Sequence, residues 1–149
     1  MYTIIAPYDS FKHFEVPINE YIKRLWKHLE IIKIKPSKKD SIEEAKREDT
    51  RNITEKLNKT KGYKILLDIN GKSFDTVYFL EFIQKQQQEQ ANIVFVIGGV
   101  YGYTEDLYQN IDYKFSLSSL TFPHNMAFLI LLEQIYRIES IKSGKQYHY

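Results

Sequence analysis

The sequence predicts an α/β fold, with a mainly parallel sheet and helices on both of its faces. Short segments rich in branched and aromatic residues alternate with longer amphipathic segments, as in βαβ units. The segment NIVFVI at 92–97 is apolar almost throughout, which is typical of a strand buried on both faces. With 149 residues, 43% of them hydrophobic, we expect a single domain over residues 1–149.

The N-terminal part predicts two strands and two helices. TIIA at 3–6 and LEIIKI at 29–34 are predicted strands, and the apolar residues between them recur with helical spacing. The polar segment 36–61 has only a thin apolar stripe and predicts a charged surface helix. Ser41 and Glu44 have the spacing of a capping box near its start.

The remainder predicts three more strands and two long helices. The strands are 63–69, 92–97 and 113–118, the helices are 75–90 and 122–141, and a brief helix begins at Thr104. Asn70-Gly71 closes the first of these strands. The last helix is apolar on more than one face, so it must be covered from two sides, and we expect the sheet and a second copy of the protein as the covers.

Composition excludes several kinds of site. The absence of cysteine excludes disulfides, thiolate metal ligands and thiol nucleophiles. Four dispersed histidines lack a metal-binding spacing, so no metal is expected. The N-terminus lacks the pattern of a signal peptide and no apolar run is long enough for a membrane span, so we expect a cytoplasmic protein. A net charge of +2 allows an RNA partner without requiring one.

Three predicted strand ends carry unusual loops, namely LDING at 67–71, IGGVYG at 97–102 and LSSLTFPH at 117–124. Open parallel sheets bind ligands at the carboxyl ends of their strands, and glycine lets a ligand approach the backbone. The glycine spacing differs from the dinucleotide-binding motif G-x-G-x-x-G. The third loop fits either capping of the following helix by its hydroxyl groups or a loop whose backbone brackets a heterocycle.

The segments FVIGGVYG, SLSSLTFPH, LILLEQIYRI and the terminal YHY, in this order and spacing, resemble the ribosomal RNA large-subunit methyltransferase H family. LLDINGK at 66–72 matches as well. These are small S-adenosylmethionine-dependent methyltransferases of the SPOUT superfamily. The resemblance implies a C-terminal trefoil knot, in which the last segments thread through an earlier loop. It also implies a homodimer that methylates N3 of a pseudouridine in helix 69 of 23S rRNA within the ribosome.

The resemblance also implies roles for individual residues. The family's cofactor contacts fall by position on Leu67, Gly98, Leu117, Ser118, Ser119, Leu120, Thr121 and Phe122. His148 matches the C-terminal Tyr-His of the family, and we expect it to help remove the proton from N3, with Asp68 as a weaker candidate. Two positions depart from the family, because Phe128 replaces a common arginine and Tyr149 a terminal basic residue.

Other functions stay open at this point. The chain fits a non-catalytic RNA- or ribosome-binding relative with the same fold, or a SPOUT methyltransferase with another RNA target. A nucleotide-binding α/β enzyme of another kind is disfavoured, because the sequence has no phosphate-loop signature.

Overall fold

A five-stranded, all-parallel sheet forms the centre of the protein in a computed structural model, which describes residues 1–147. Its strands are β1 (Tyr2–Pro7), β2 (Leu29–Ile34), β3 (Tyr63–Lys72), β4 (Ile93–Val96) and β5 (Tyr113–Phe115). Their spatial order is β2-β1-β4-β3-β5, and each neighbouring pair is parallel. The predicted α/β class with a parallel sheet is confirmed.

Four α-helices and two short 3-10 helices connect the strands. The α-helices are α1 (Glu15–Leu25), α2 (Ile42–Lys59), α3 (Thr76–Glu89) and α4 (His124–Lys142), and the 3-10 helices are Lys12–Phe14 and Glu105–Asn110. The brief helix predicted after Thr104 is the second of these 3-10 helices. The predicted cap of α2 is present, because the Ser41 side chain accepts a hydrogen bond from the Glu44 N–H at 3.4 Å.

Alternate residues of the central strands feed two hydrophobic cores. On one face, Ile4 and Phe95 pack with residues of α1, α3 and α4. On the other face, Ile5 and Val96 pack with residues of α2 and with Leu107 of the 3-10 helix. This period-two alternation is what a strand buried on both faces requires, and it confirms that helices cover both faces of the sheet.

β3 and β5 differ from their predicted ends. Asn70-Gly71 does not close β3, which continues to Lys72. Leu67 and Lys72 both pair with Phe115, so residues 68–71 form an excursion out of the ladder. The excursion requires glycine at 71, because a Cβ there would lie 2.6 Å from the Lys114 carbonyl carbon. β5 ends at Phe115 rather than at 118, and the chain after it forms a loop.

α4 packs on the sheet between α1 and α3. Five of its apolar side chains are almost completely buried: Phe128, Leu131, Leu132, Ile135 and Ile138. A further side, which includes Leu129 and Ile130, is only half-buried. A second copy of the protein as the outer cover stays a prediction, as does the knot. Among the described residues, none of the helices has the length and apolar character that crossing a membrane requires.

Candidate functional site

A cavity of about 380 Å³ lies at the carboxyl ends of β3 and β4 and beside the loop that follows β5. Its walls come from three segments of the chain, at 67–70, 97–103 and 116–122, together with Tyr108, His124 and Ala127. All three loops singled out in the sequence therefore meet at one site, as expected for an open parallel sheet. The volume lies in the range of small-molecule binding sites.

The predicted cofactor-binding residues converge on this cavity. Those that line it are Leu67, Gly98, Leu117, Ser118, Leu120, Thr121 and Phe122. Ser119 lies in the same loop but is exposed and does not contribute to the wall. Binding of a cofactor by these residues stays a prediction. His148 and Tyr149 lie outside the described residues.

Packing explains the glycines at 98 and 99 of the 98–102 loop, and backbone conformation explains the one at 102. A Cβ on Gly98 would lie 2.7 Å from Cδ1 of Tyr103, and a Cβ on Gly99 would collide with the carboxylate of Asp49. Gly102 has a φ of +90°, a conformation that residues with side chains rarely adopt. Tyr103 and Asp49 therefore leave little room for side chains at 98 and 99. The absence of side chains there leaves the backbone exposed to the cavity.

Two buried polar residues of α2, Asp49 and Thr50, lie behind this loop, and Thr50 bonds to the chain at its end. Asp49 accepts a hydrogen bond from the Ser37 N–H at 2.8 Å, and Thr50 Oγ1 accepts one from the Thr104 N–H at 2.9 Å. Burial raises the pKa of the Asp49 carboxyl. The prediction of a charged surface helix missed these two residues. The available signal was spacing, because Asp49 falls on the apolar stripe between Ala45 and Ile53.

Asp68 organises the excursion of β3 at the cavity wall. One carboxylate oxygen accepts the Asn70 N–H at 2.9 Å and the other accepts the Tyr108 hydroxyl at 2.9 Å. Burial, and then the charge of Asp68, raise the pKa of Tyr103, and burial likewise raises the pKa of Tyr108. Both phenols are therefore hydrogen-bond donors at neutral pH. Asp68 as the weaker candidate for the proton acceptor stays a prediction.

The serines after β5 brace their own loop. Ser116 Oγ donates to the Ser118 carbonyl oxygen at 2.7 Å, and Ser118 Oγ accepts the Leu120 N–H at 3.0 Å. Pro123 occupies the N-cap position of α4, and no side chain caps the helix there. Of the two interpretations of this loop, capping of α4 by its hydroxyl groups is therefore wrong. The hydroxyls of Ser116 and Ser118 instead brace a loop that lines the cavity.

His124, at the start of α4, lies at the back of the cavity. Its Nε2 is buried and, within residues 1–147, has no hydrogen-bond partner, although the ring lies near the backbone of Gly98 and Pro7. Burial lowers the pKa of this imidazole, and the two backbone groups offset the effect only in part. His124 is thus a neutral, tightly packed side chain at pH 7.

Phe128, where the family commonly has arginine, lies in the core. It is fully buried, with ring centroids 4.8 Å from Phe11 and 5.7 Å from Tyr8. The substituted position is therefore an aromatic packing site rather than part of the outer surface.

In the part of the chain that the structure describes, no group of three or more histidine or acidic side chains could hold a metal ion.

Comparison with known proteins agrees with the geometry. The family model described as predicted SPOUT methyltransferase matches residues 4–148. A protein of Thermodesulfovibrio yellowstonii, named ribosomal RNA large subunit methyltransferase H, is 41% identical over 93% of this chain and 90% of its own length. A protein of the same name from Thermotoga maritima is 33% identical over 95% of this chain and 89% of its own length.

A remote likeness is to the crystal structure of the SpoU methyltransferase AviRb from Streptomyces viridochromogenes. It has 13% identity and a TM-score of 0.49, over 97% of this chain and 60% of that chain. Family membership rests on the family model and the two sequence relatives. The chain belongs to the SPOUT methyltransferase family, alongside proteins named ribosomal RNA large subunit methyltransferase H.

Proposed function

We propose that this protein is an S-adenosylmethionine-dependent methyltransferase of large-subunit ribosomal RNA, acting on N3 of a pseudouridine in helix 69 of 23S rRNA. The names of its relatives support the class of substrate. The observation that carries the proposal is the convergence of three separate chain segments, at 67–70, 97–103 and 116–122, on one ligand-sized cavity. The nucleotide itself comes from the family resemblance.

The residues of the cavity fit the proposed cofactor. Leu67, Leu117 and Ala127 provide an apolar wall, while the backbone of the 116–122 loop offers N–H and C=O groups for the edge of an adenine. Gly98 leaves room beside the Tyr103 ring. When bound, S-adenosylmethionine supplies a methyl group that its sulfonium has already activated for transfer.

The chain's own contribution is then mainly positioning. The braced 116–118 loop and the α2-supported 98–104 loop are rigid before ligand arrives, which lowers the entropic barrier to bringing N3 in line with the methyl group. N3 must also lose a proton, and His148 is the proposed acceptor because a histidine titrates near neutral pH. Asp68 accepts two hydrogen bonds and so fixes the shape of the cavity wall.

The position of Tyr147 supports a site shared between two subunits. Its ring lies 5.0 Å from that of Tyr136, and its carbonyl accepts a hydrogen bond from Arg137 at 3.3 Å. Tyr136 is about 18 Å further along α4 than His124, which lines the cavity, at 1.5 Å of helix rise per residue. One further residue extends the chain by only about 3.5 Å. We therefore propose that the partner subunit of a homodimer supplies His148 to the reaction.

Two measurements test the proposal. Titration of S-adenosylmethionine by calorimetry should show saturable binding, whereas no binding would favour a non-catalytic RNA-binding relative. Mass mapping of 23S rRNA should then show one methyl group missing from helix 69 in a strain that lacks the gene and restored by the gene. A missing methyl group elsewhere in the rRNA would establish a different target.

His148→Ala tests the proton acceptor. We expect single-turnover methylation of ribosomes to fall at least about tenfold, within the range of general-base contributions, with unchanged affinity for S-adenosylmethionine. His13→Ala is the matched control, because His13 is exposed on the short helix after β1. An unchanged rate in His148→Ala would remove this role from His148.

A further inference from the structure

A basic and aromatic surface lies at the end of the sheet opposite the cavity. Here the C-terminal ends of α1 and α4 meet beside the first residues of β1, where the Tyr2 hydroxyl donates to Glu139 at 2.6 Å. A second hollow of about 320 Å³ opens between the two helix ends. We call this surface the amino-end patch and define it as Arg24, Trp26, Lys27, His28, Tyr136, Lys142 and Lys145.

Positive charge dominates the patch. Arg24, His28, Lys142 and Lys145 line the hollow together with a single carboxylate, Glu139. That carboxylate is already engaged, because Lys142 lies 2.8 Å from it and the Tyr2 hydroxyl donates to it. In the described part of the chain, neither Lys27 nor Lys145 forms an ion pair. Arg24 pairs with Glu20 at 3.0 Å, so the surplus positive charge of the patch comes mainly from Lys27 and Lys145.

Aromatic rings lie among these cations. The Trp26 side chain is 69% exposed, although tryptophan is normally among the most buried residues on average, and Lys27 Nζ lies 5.4 Å from its ring centroid. The Arg24 guanidinium lies 5.4 Å from the ring centroid of Tyr136. Cations beside an exposed aromatic ring such as Trp26 are typical of surfaces that hold a nucleic-acid backbone and stack its bases.

We propose that the amino-end patch binds the RNA substrate, with backbone phosphates over the hollow and an unpaired base stacked on Trp26. The inference rests on the proposed function, which supplies RNA as the partner. The patch also adjoins Tyr147, which packs on Tyr136, so RNA bound here lies beside the C-terminal segment that carries His148. Its single large exposed apolar side chain is unlike the apolar face that a membrane-surface helix presents.

The test compares charge reversals on the two faces of the sheet. Lys27→Glu and Lys145→Glu remove cations from the patch, and Lys56→Glu makes the same change on exposed α2, which covers the opposite face. We expect each patch variant to weaken binding of a 23S rRNA fragment containing helix 69 at least tenfold, with a shallower dependence on salt. Lys56→Glu should leave the affinity within about twofold.

Trp26 is tested separately. Stacking of a base on an aromatic ring predicts a loss of RNA affinity of about tenfold in Trp26→Ala and recovery of most of it in Trp26→Phe. Methylation by Trp26→Ala should show a raised KM for ribosomes and an unchanged kcat. Thermal unfolding checks that each variant is folded.

Other outcomes would overturn the proposal. Equal weakening by Lys56→Glu would mean that total charge rather than the patch binds RNA. If the patch variants bind RNA with wild-type affinity, the patch does not recognise RNA. If they lose binding only to vesicles of anionic phospholipid, the patch binds a membrane instead. Calorimetry with S-adenosylmethionine separates this failure from that of the proposed function, because the patch variants should all bind the cofactor normally.

Discussion

The two ends of the sheet present different kinds of groups to a ligand. At the carboxyl end the cavity is walled largely by loop segments, with glycines where neighbouring groups press closest. At the amino end the exposed groups are long side chains from the ends of two helices, including Arg24 and Lys145. A small ligand of fixed shape suits a fixed backbone wall, while a flexible charged polymer suits mobile cations and exposed rings.

The two ends also differ in how tightly they are held. Thr50 of α2 anchors the 98–104 loop at Thr104, and Asp68 anchors the excursion of β3, so these polar groups fix the shape of the cavity wall. Apart from the bonds to Glu139, the amino end has few hydrogen bonds of this kind. Within residues 1–147, the one ion pair of Arg24 is with Glu20, which is exposed. Exposed pairs of this kind contribute little to stability and remain free to exchange partners.

The largest expected effect comes from filling the cavity end. Gly98→Val places a side chain against Tyr103 and into the cavity, so affinity for S-adenosylmethionine should fall at least about tenfold, or about 1.4 kcal/mol. Calorimetry measures the affinity, and Tyr101→Ala in the same loop, where the side chain is 53% exposed and does not line the cavity, is the control. RNA binding should be unchanged in both variants. Normal cofactor affinity in Gly98→Val would break the comparison.

A smaller effect is expected on stability when the anchor of the excursion is removed. Asp68→Asn keeps the shape of the side chain but weakens two buried hydrogen bonds, from Asn70 and Tyr108, and should lower the free energy of unfolding by about 1–3 kcal/mol. Urea denaturation measures this. Glu105→Gln, an exposed change nearby, should stay within about 0.5 kcal/mol. Equal stability of the two variants would show that the excursion does not depend on Asp68.

The smallest effect is expected for Glu139 at the amino end, where one substitution should lower stability and raise RNA affinity. Burial alone would raise the pKa of Glu139, but hydrogen bonds from Lys142 and Tyr2 outweigh it, and the net pKa is lowered. The carboxylate therefore stabilises the fold above the ordinary glutamate pKa of about 4.3, and this stabilisation is lost as pH falls through the lower folded pKa. Glu139→Gln should lose less than about 1 kcal/mol at pH 7.

The same variant removes the carboxylate from the amino-end patch, so its RNA affinity should rise about twofold or more as its stability falls. Between pH 7 and 3, the free energy of unfolding of Glu139→Gln should depend less on pH than that of the wild type. Glu81→Gln, an exposed change on α3, is the control for both measurements. A fall in RNA affinity in Glu139→Gln would show that the negative charge helps to bind RNA.

Local pattern was enough to predict most of the fold. Alternation, helical periodicity and the cap at Ser41 follow from neighbouring residues, so all five strands and four helices appear near their predicted positions. The ends of β3 and β5 were wrong because they depend on each other. The excursion at 68–71 exists only where Gly71 passes the backbone of Lys114, a contact between distant parts of the sequence.

The cavity was partly predictable for the same reason. Its three loops carry their own signals, namely glycine, hydroxyl residues and proline after apolar strands. Tyr103 and Tyr108 were missed because only the fold brings them to Asp68. The sequence did not delimit the amino-end patch, since its cations come from the ends of α1 and α4, which lie far apart in the chain.

The contact between Gly99 and Asp49 links a wall of the cavity to a helix that lines none of it. A Cβ at 99 would collide with the Asp49 carboxylate as it is placed here, so a side chain at 99 requires Asp49 to move. A shorter residue at 49 would relieve that constraint and allow the loop to sink or to gain a side chain. A substitution at 49 can thus change the depth of the binding site without any change in a residue that lines it.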